Sequence, residues 1–252
     1  MEHVSSPSGP IRISSTDWLK IAGVIAFLAD HIGLYFVDDP DLLRTIGRLA
    51  APIFFFFIGF ARSRDIPLSW IVIGSLLTFA DFWTDTDEDV VLNILINFAF
   101  VRFALRVVDV YAATPIRLAG VALICIVALP FVGSIMEYGA EGWLWALVGY
   151  AQRSWRDGDA RYHWARFGFA ALAAGLYAFT EIQDHGLSEG NDISLIVALL
   201  SLVSFLLMFQ RRPSPVQPPA ILMPIVQFLS RYSLEIYALS LVGMQVIAHV
   251  IL

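Results

Sequence analysis

The chain has 252 residues, 58% of them hydrophobic and 15% charged, with a formal net charge of −6. That apolar share exceeds the about 45–50% of ordinary soluble domains, and with a mean hydropathy of +0.71 it excludes a soluble fold and predicts a multi-pass membrane protein. The negative balance, with no long basic stripe to offset it, argues against nucleic-acid binding, and the single cysteine, Cys125, excludes an internal disulfide or a cysteine-built metal cage.

Residues 1–16 are a polar, Ser/Pro-rich tail. They lack the basic start, short apolar core and small-residue cleavage site of a removable signal, so the first hydrophobic run is expected to direct insertion itself. Residues 17–252 read as one integral-membrane domain, an all-α polytopic bundle of about nine transmembrane helices. The runs fall at 18–37, 46–61, 66–82, 90–108, 116–135, 140–152, 165–181, 193–209 and 232–252. Residues 218–230, with Pro219 and Pro224, are too short to cross and read as an interfacial helix.

The first run is long enough for a hydrocarbon core of about 30 Å, yet it carries Lys20, Asp30 and His31. Lys20 and His31 are eleven positions apart, which places them within about 20° of one another on the helix and about 16 Å apart along it. Asp30 lies about 100° round from His31, so it either shares a wide cavity with the imidazole or pairs with Arg48 of the second run. For Arg48 the structural alternative is a salt bridge to Asp30 or Asp38 that holds the first two helices together.

Placing the amino terminus in the cytoplasm puts all but Arg44 and Arg48 of the sixteen Lys and Arg residues on or near the cytoplasmic side. The acidic clusters around Asp38, Asp85 to Asp89 and Glu181 to Asp192 then face outward. That bias by itself accounts for most of the basic residues at the inner mouth, among them Arg62, Arg64 and Arg102, and for the stretch 153–166. Asp30, His31, Arg48, Asp81, Asn93, Asn97 and Glu137 fall near the outer ends of their runs. Ionisable groups at membrane depth are costly unless paired or wetted, so several at one depth imply a polar cavity open to the outside. Asn93 and Asn97, four apart, are expected to line it.

The pattern Asp17-x-x-Lys20, ten residues, His31-x-Gly33, followed by Gly47-Arg48-Leu49-Ala50-Ala51-Pro52-Ile53-Phe54, resembles the opening signature of the TraX family of membrane proteins from conjugative plasmid systems. Glu137-Tyr138-Gly139-Ala140-Glu141-Gly142 is similar to that family's acidic-Tyr-Gly-x-x-Gly segment, and Asn93 stands where the family places an Asn. The family is similar in turn to the membrane acyltransferase superfamily, whose first helix carries a basic residue, ten positions, then His, a spacing that Lys20 and His31 reproduce. The resemblance implies a bacterial inner-membrane enzyme that acetylates the amino terminus of a conjugative pilin, with acetyl-CoA as cosubstrate, no metal, and a small hydrophobic pilin subunit as partner.

On that reading His31 is the general base, with Asp30 and Arg48 beside it. Lys20, Arg62 and Arg64 receive the donor, and Asp81, Asn93, Asn97, Glu137 and Tyr138 hold the acceptor. The superfamily's closing helix commonly carries aromatic-x-x-His; here Ser240 stands in place of that His, which argues against catalytic residues on the last helix. Two alternatives remain: processing of the pilin by cyclisation, which calls for a nucleophile that Cys125 is at the wrong depth to supply, and a non-catalytic assembly factor, in which His31 would be dispensable.

Overall fold

In the computed structural model the described residues are 12–38, 40–84, 91–185 and 189–251. They form eleven helices: α1 Ser15–Phe36, α2 Asp41–Gly47, α3 Ala50–Phe60, α4 Leu68–Thr84, α5 Ile94–Tyr111, α6 Pro115–Val132, α7 Gly139–Arg156, α8 Tyr162–His185, α9 Glu189–Met208, α10 Met223–Arg231 and α11 Ser233–Ile251. With α2 and α3 taken as one rod, nine long units follow the nine expected runs, and the short α10 takes the interfacial place. Most of the polar tail and the acidic residues 85–90 lie outside the described residues.

Local chemistry sets the ends of these helices. Ser14 and Asp17 form a reciprocal capping box at the start of α1, and Asp17 also accepts a hydrogen bond from Ser230 of α10. Asp17 of the opening pattern is therefore structural. Between α2 and α3, Arg48 and Leu49 keep right-handed helical angles, so Asp41–Phe60 remains long and apolar enough to cross a membrane. Pro52 has no N–H to return to the Arg48 carbonyl, and the Tyr177 hydroxyl of α8 donates to that carbonyl instead, at 2.8 Å. The missing helical bond is thus replaced from a neighbouring helix, as a membrane interior requires.

The helices divide into an inner and an outer set. Four of the described rods are long and apolar enough to cross by composition alone: Ser15–Phe36, Asp41–Phe60, Pro115–Val132 and Asn191–Met208. Two of them, α6 and α9, sit at the periphery and expose side chains such as Ile124, Val127, Val197 and Leu200. In water such a surface would be a fault; against lipid tails it is the expected outer face.

α3 and α7 form the centre. Phe55 and Phe56 of α3 and Leu144 through Gln152 of α7 are buried. A Cβ added at Gly59 would strike the Ala146 carbonyl, one at Gly149 would strike the Phe56 carbonyl, and one at Gly142 would enter the Phe55 ring. Small residues let two backbones approach to this distance, and in lipid such close packing stands in for the absent hydrophobic drive. α7 runs one turn beyond its expected end, to Arg156, and α8 begins at Tyr162; the tight link between them uses Gly158 at φ 101°. Arg153 and Arg156 consequently lie on a helix and not in a loop.

The glycine seam can be tested directly. Gly149→Leu should destabilise the detergent-purified protein by more than the about 1–3 kcal/mol of an ordinary overpacked core, because the obstacle is backbone. Gly120→Ala on α6, where an added Cβ meets nothing, should leave the thermal unfolding midpoint within experimental error. Equal midpoints for the two variants would refute the seam.

Candidate functional site

Two cavities open toward opposite ends of the bundle. The first, of about 100 Å³, is bounded by the His31 half of α1, the Gly47–Phe54 stretch of α2 and α3, the start of α5, the corner before α7, and α11. Its polar contributors are Asp30, His31, Glu137, Tyr138 and Tyr237. The second, of about 820 Å³, lies at the other end and is lined by Lys20, Arg62, Arg102, Arg153, Arg156, Arg211 and Arg231, with Asp157 and Glu235 the acidic residues on its wall. Phe54, Phe98 and Leu234 line both, so these apolar side chains form a common wall of a carboxylate- and imidazole-lined chamber and a cation-lined one.

His31 is buried and reaches across to α11: its Nδ1 lies 3.0 Å from the Ser240 hydroxyl. The rings of Tyr237 and Phe27 pack against the imidazole at 5.4 and 5.9 Å between centroids. Asp30 faces the same chamber beside Gly47, where any Cβ would collide with the Asp30 backbone and side chain. The glycine of the Gly47-Arg48 pair therefore makes room for Asp30, whose buried Oδ1 has no hydrogen-bond partner among the described residues.

Glu137 is held at the amino end of α5, where its Oε2 accepts from the Ile94 N–H at 2.9 Å and the Asn93 amide at 3.3 Å. A carboxylate there answers the unsatisfied N–H groups and the positive end of the helix dipole. Tyr237 approaches the same oxygen through its hydroxyl at 3.5 Å. Tyr138, at φ 58°, and Gly139, at φ 36°, make the left-handed corner that turns Glu137 and Tyr138 into the chamber before α7 begins. That is the physical content of the acidic-Tyr-Gly pattern.

Several expected residues are placed elsewhere. Arg48 does not line the chamber and does not pair with Asp30 or Asp38. Its Nε lies 3.0 Å from Glu181 Oε2 on α8, both side chains being buried, because the Tyr177 bond to its own carbonyl draws the α2–α3 junction toward α8. Asn93 and Asn97 do not line the chamber either. Asn93 caps α5 through Leu95 N–H, and Asn97, fully buried, donates to the carbonyls of Glu137 and Gly139 and accepts from Trp143 Nε1. Both asparagines hold the corner that presents Glu137. The side chain of Asp81 lies outside the described residues.

At the basic end Lys20 and Arg62 line the large cavity, with Arg62 also paired to Asp157 at 2.6 Å. Arg64 does not: it binds Asp109 at 2.8 Å and the Ala61 carbonyl, and serves to tie the α3–α4 link to α5. Its place is taken by residues from distant parts of the chain. Arg102 stacks over Trp70 at 4.5 Å, and Arg211, from the segment before α10, and Arg231, from the last turn of α10, border the cavity. Arg156, expected to be a topology anchor only, lines the cavity while also donating to the Met208 and Phe209 carbonyls at the end of α9. Nothing in the local sequence around Arg211 or Arg231 marks them off from other membrane-flanking arginines.

These features define a polytopic α-helical membrane protein in which side chains of α3, α5 and α11 form the common wall of two chambers of opposite electrostatic character. Residues 15–216 match the model of the TraX protein family, and the chain belongs to that family. An uncharacterized protein of Rickettsia prowazekii (strain Madrid E) is 46% identical over 61 residues, which is 24% of this chain and 24% of that protein. The chain thus spans about a quarter of the length of the curated relative that it matches. No solved structure matches the chain.

The buried ion pair gives a stability test. Glu181→Gln leaves the Arg48 guanidinium buried without its counter-charge and should cost about 3–5 kcal/mol, whereas Arg48→Met with Glu181→Met together should fall near the parent or above it. Thermal unfolding of the purified parent and the two variants measures this. A single variant as stable as the parent would show that the pair does not hold α2–α3 to α8.

Proposed function

We propose that the protein is an acetyltransferase of the bacterial inner membrane that moves an acetyl group from acetyl-CoA to the amino terminus of a small hydrophobic conjugative pilin subunit. The observation that carries the reading is the meeting of the two chambers at Phe54, Phe98 and Leu234. The larger falls in the about 300–1,000 Å³ range of small-molecule sites, and its cations suit a phosphate-bearing donor. The smaller has room for only a few heavy atoms, at the about 30 Å³ that one water occupies in the liquid. Its carboxylates suit a cationic amine.

In the mechanism the donor's phosphates rest among Lys20, Arg62, Arg102, Arg211 and Arg231, and its thioester arm passes the apolar partition. The acceptor enters as an ammonium drawn by Asp30 and Glu137, loses one proton to solvent, and attacks the thioester carbonyl as the amine. His31 takes the proton that the nitrogen sheds as the C–N bond forms. Tyr237, turning its hydroxyl from Glu137, donates to the oxyanion; Arg48, committed to Glu181, has no part in this step. Collapse breaks the C–S bond, and the protonated His31 returns its proton to the departing thiolate, leaving an amide and a free thiol. Placement of the basic end in the cytoplasm brings the donor from the side where it is made.

Intact mass spectrometry of a co-expressed pilin subunit tests the proposal. A gain of about 42 Da with the parent protein and none with His31→Gln is expected, since Gln keeps a hydrogen-bonding group but cannot take the proton, and loss of a general base costs about 10²–10⁴-fold. A loss of about 18 Da would instead mean condensation through a nucleophile, and an unchanged mass an assembly role; either overturns the reading. In steady-state assays Lys20→Ala should raise the apparent KM for the donor while changing kcat less, the signature of lost ground-state binding. A fall in kcat with KM unchanged would remove Lys20 from the donor site.

A further inference from the structure

The last helix supplies a partner for His31 that the sequence pattern lacks. Ser240 Oγ lies 2.9 Å from the Tyr237 carbonyl, one turn back along α11, and 3.0 Å from His31 Nδ1. A carbonyl can only accept, and a serine hydroxyl has one proton. With that proton given to the Tyr237 carbonyl, in the back-bonding habit of helical serine, Ser240 meets His31 as an acceptor. In that arrangement the imidazole carries its proton on Nδ1. Its Nε2, which has no hydrogen-bond partner among the described residues, is the unprotonated nitrogen of a residue that lines the smaller chamber.

We propose that Ser240 is a positioning residue that holds the neutral His31 imidazole in the Nδ1–H tautomer, with Nε2 presented as the base. The inference rests on the reading of His31 as the general base. A histidine's second nitrogen commonly sets the tautomer of the first through the bond it makes. Asp30, the acidic neighbour in sequence, makes no hydrogen bond to the ring, so the orienting group is the hydroxyl from α11. Being neutral, it aligns the ring without placing a second negative charge beside it. Tyr237, on the same turn as Ser240, packs against the ring face, so one turn of α11 sets both the plane and the proton of His31. This turn lies beyond residues 15–216, the stretch that matches the family model.

Nitrogen-15 NMR of the full-length protein in nanodiscs, labelled at histidine, reads the tautomer without any reference to activity. The signals of His31 are those absent from His31→Gln. A protonated-type Nδ1 shift with an unprotonated-type Nε2 shift is expected in the parent and in Ser240→Thr. Ser240→Ala should move both signals toward a tautomer mixture, lower kcat for acetyl transfer by about 10-fold or more, within the about 10²–10⁴-fold that a general base supplies, and leave the KM for acetyl-CoA within about twofold. Ser240→Thr should recover the rate. A parent spectrum with the proton on Nε2 overturns the proposal whether or not any variant folds, and so does Ser240→Ala with the parent's shifts and rate. If the tautomer is as assigned but His31→Gln still transfers, the positioning bond stands and the assignment of the base fails.

Discussion

The backbone contact between α3 and α7 is the constraint on which the rest of the molecule depends. In lipid there is no hydrophobic gain from bringing two apolar helices together, so contact must come from shape, and here it comes from Gly59 against Ala146 and Gly149 against Phe56. One side of α3 is locked by that contact. Its remaining face supplies Ala50, Ala51 and Phe54 to the smaller chamber and Phe57, Ile58 and Phe60 to the larger. A slip of α3 along α7 by one turn would move the partition relative to His31 and Lys20, which are carried on α1.

Around this axis the polar groups divide by task. Those that close the fold include Arg48 with Glu181, Arg64 with Asp109, Asp17 with Ser14 and Ser230, and Asn97 with the corner before α7. Those that border the chambers include Asp30, His31 and Glu137 at one end and Lys20, Arg102, Arg211 and Arg231 at the other. The two sets are interleaved in the chain, sometimes at adjacent positions. Gly47 admits Asp30 to the chamber while Arg48, the next residue, turns away to α8, so a two-residue motif serves both tasks at once.

The last two helices complete what the first nine begin. α10 and α11 bring Arg231 and Glu235 to the larger chamber and Leu234, Tyr237 and Leu241 to the smaller, and Ser240 to His31. The start of α1 is bound into the same wall, since Ile13 and Ser15 exchange hydrogen bonds with residues 210–217. This pairing sets the start of α1 against the segment that leads to α10, and so aligns Lys20 with the arginines at 211 and 231.

The amino-acid sequence alone determined the class of fold, the number of long helices, and the placing of Lys20 and His31 on one helix facing opposite ends. Those properties follow from composition and from the helical repeat, which act over one to five turns. The Glu137-Tyr138-Gly139 segment was legible only as a family-like motif near an outer helix end; its left-handed corner and the place of Glu137 at the amino end of α5 came from the tertiary structure. Which arginine meets which acid was decided only by the tertiary structure. Arg48 and Glu181 are 133 positions apart in the numbering, and the bias that gathers Lys and Arg on one side of a membrane makes every such residue look alike. The role of Ser240 was hidden for the same reason: a serine on a membrane helix reads as neutral until the fold sets its hydroxyl within hydrogen-bond distance of both the Tyr237 carbonyl and an imidazole from the other end of the chain.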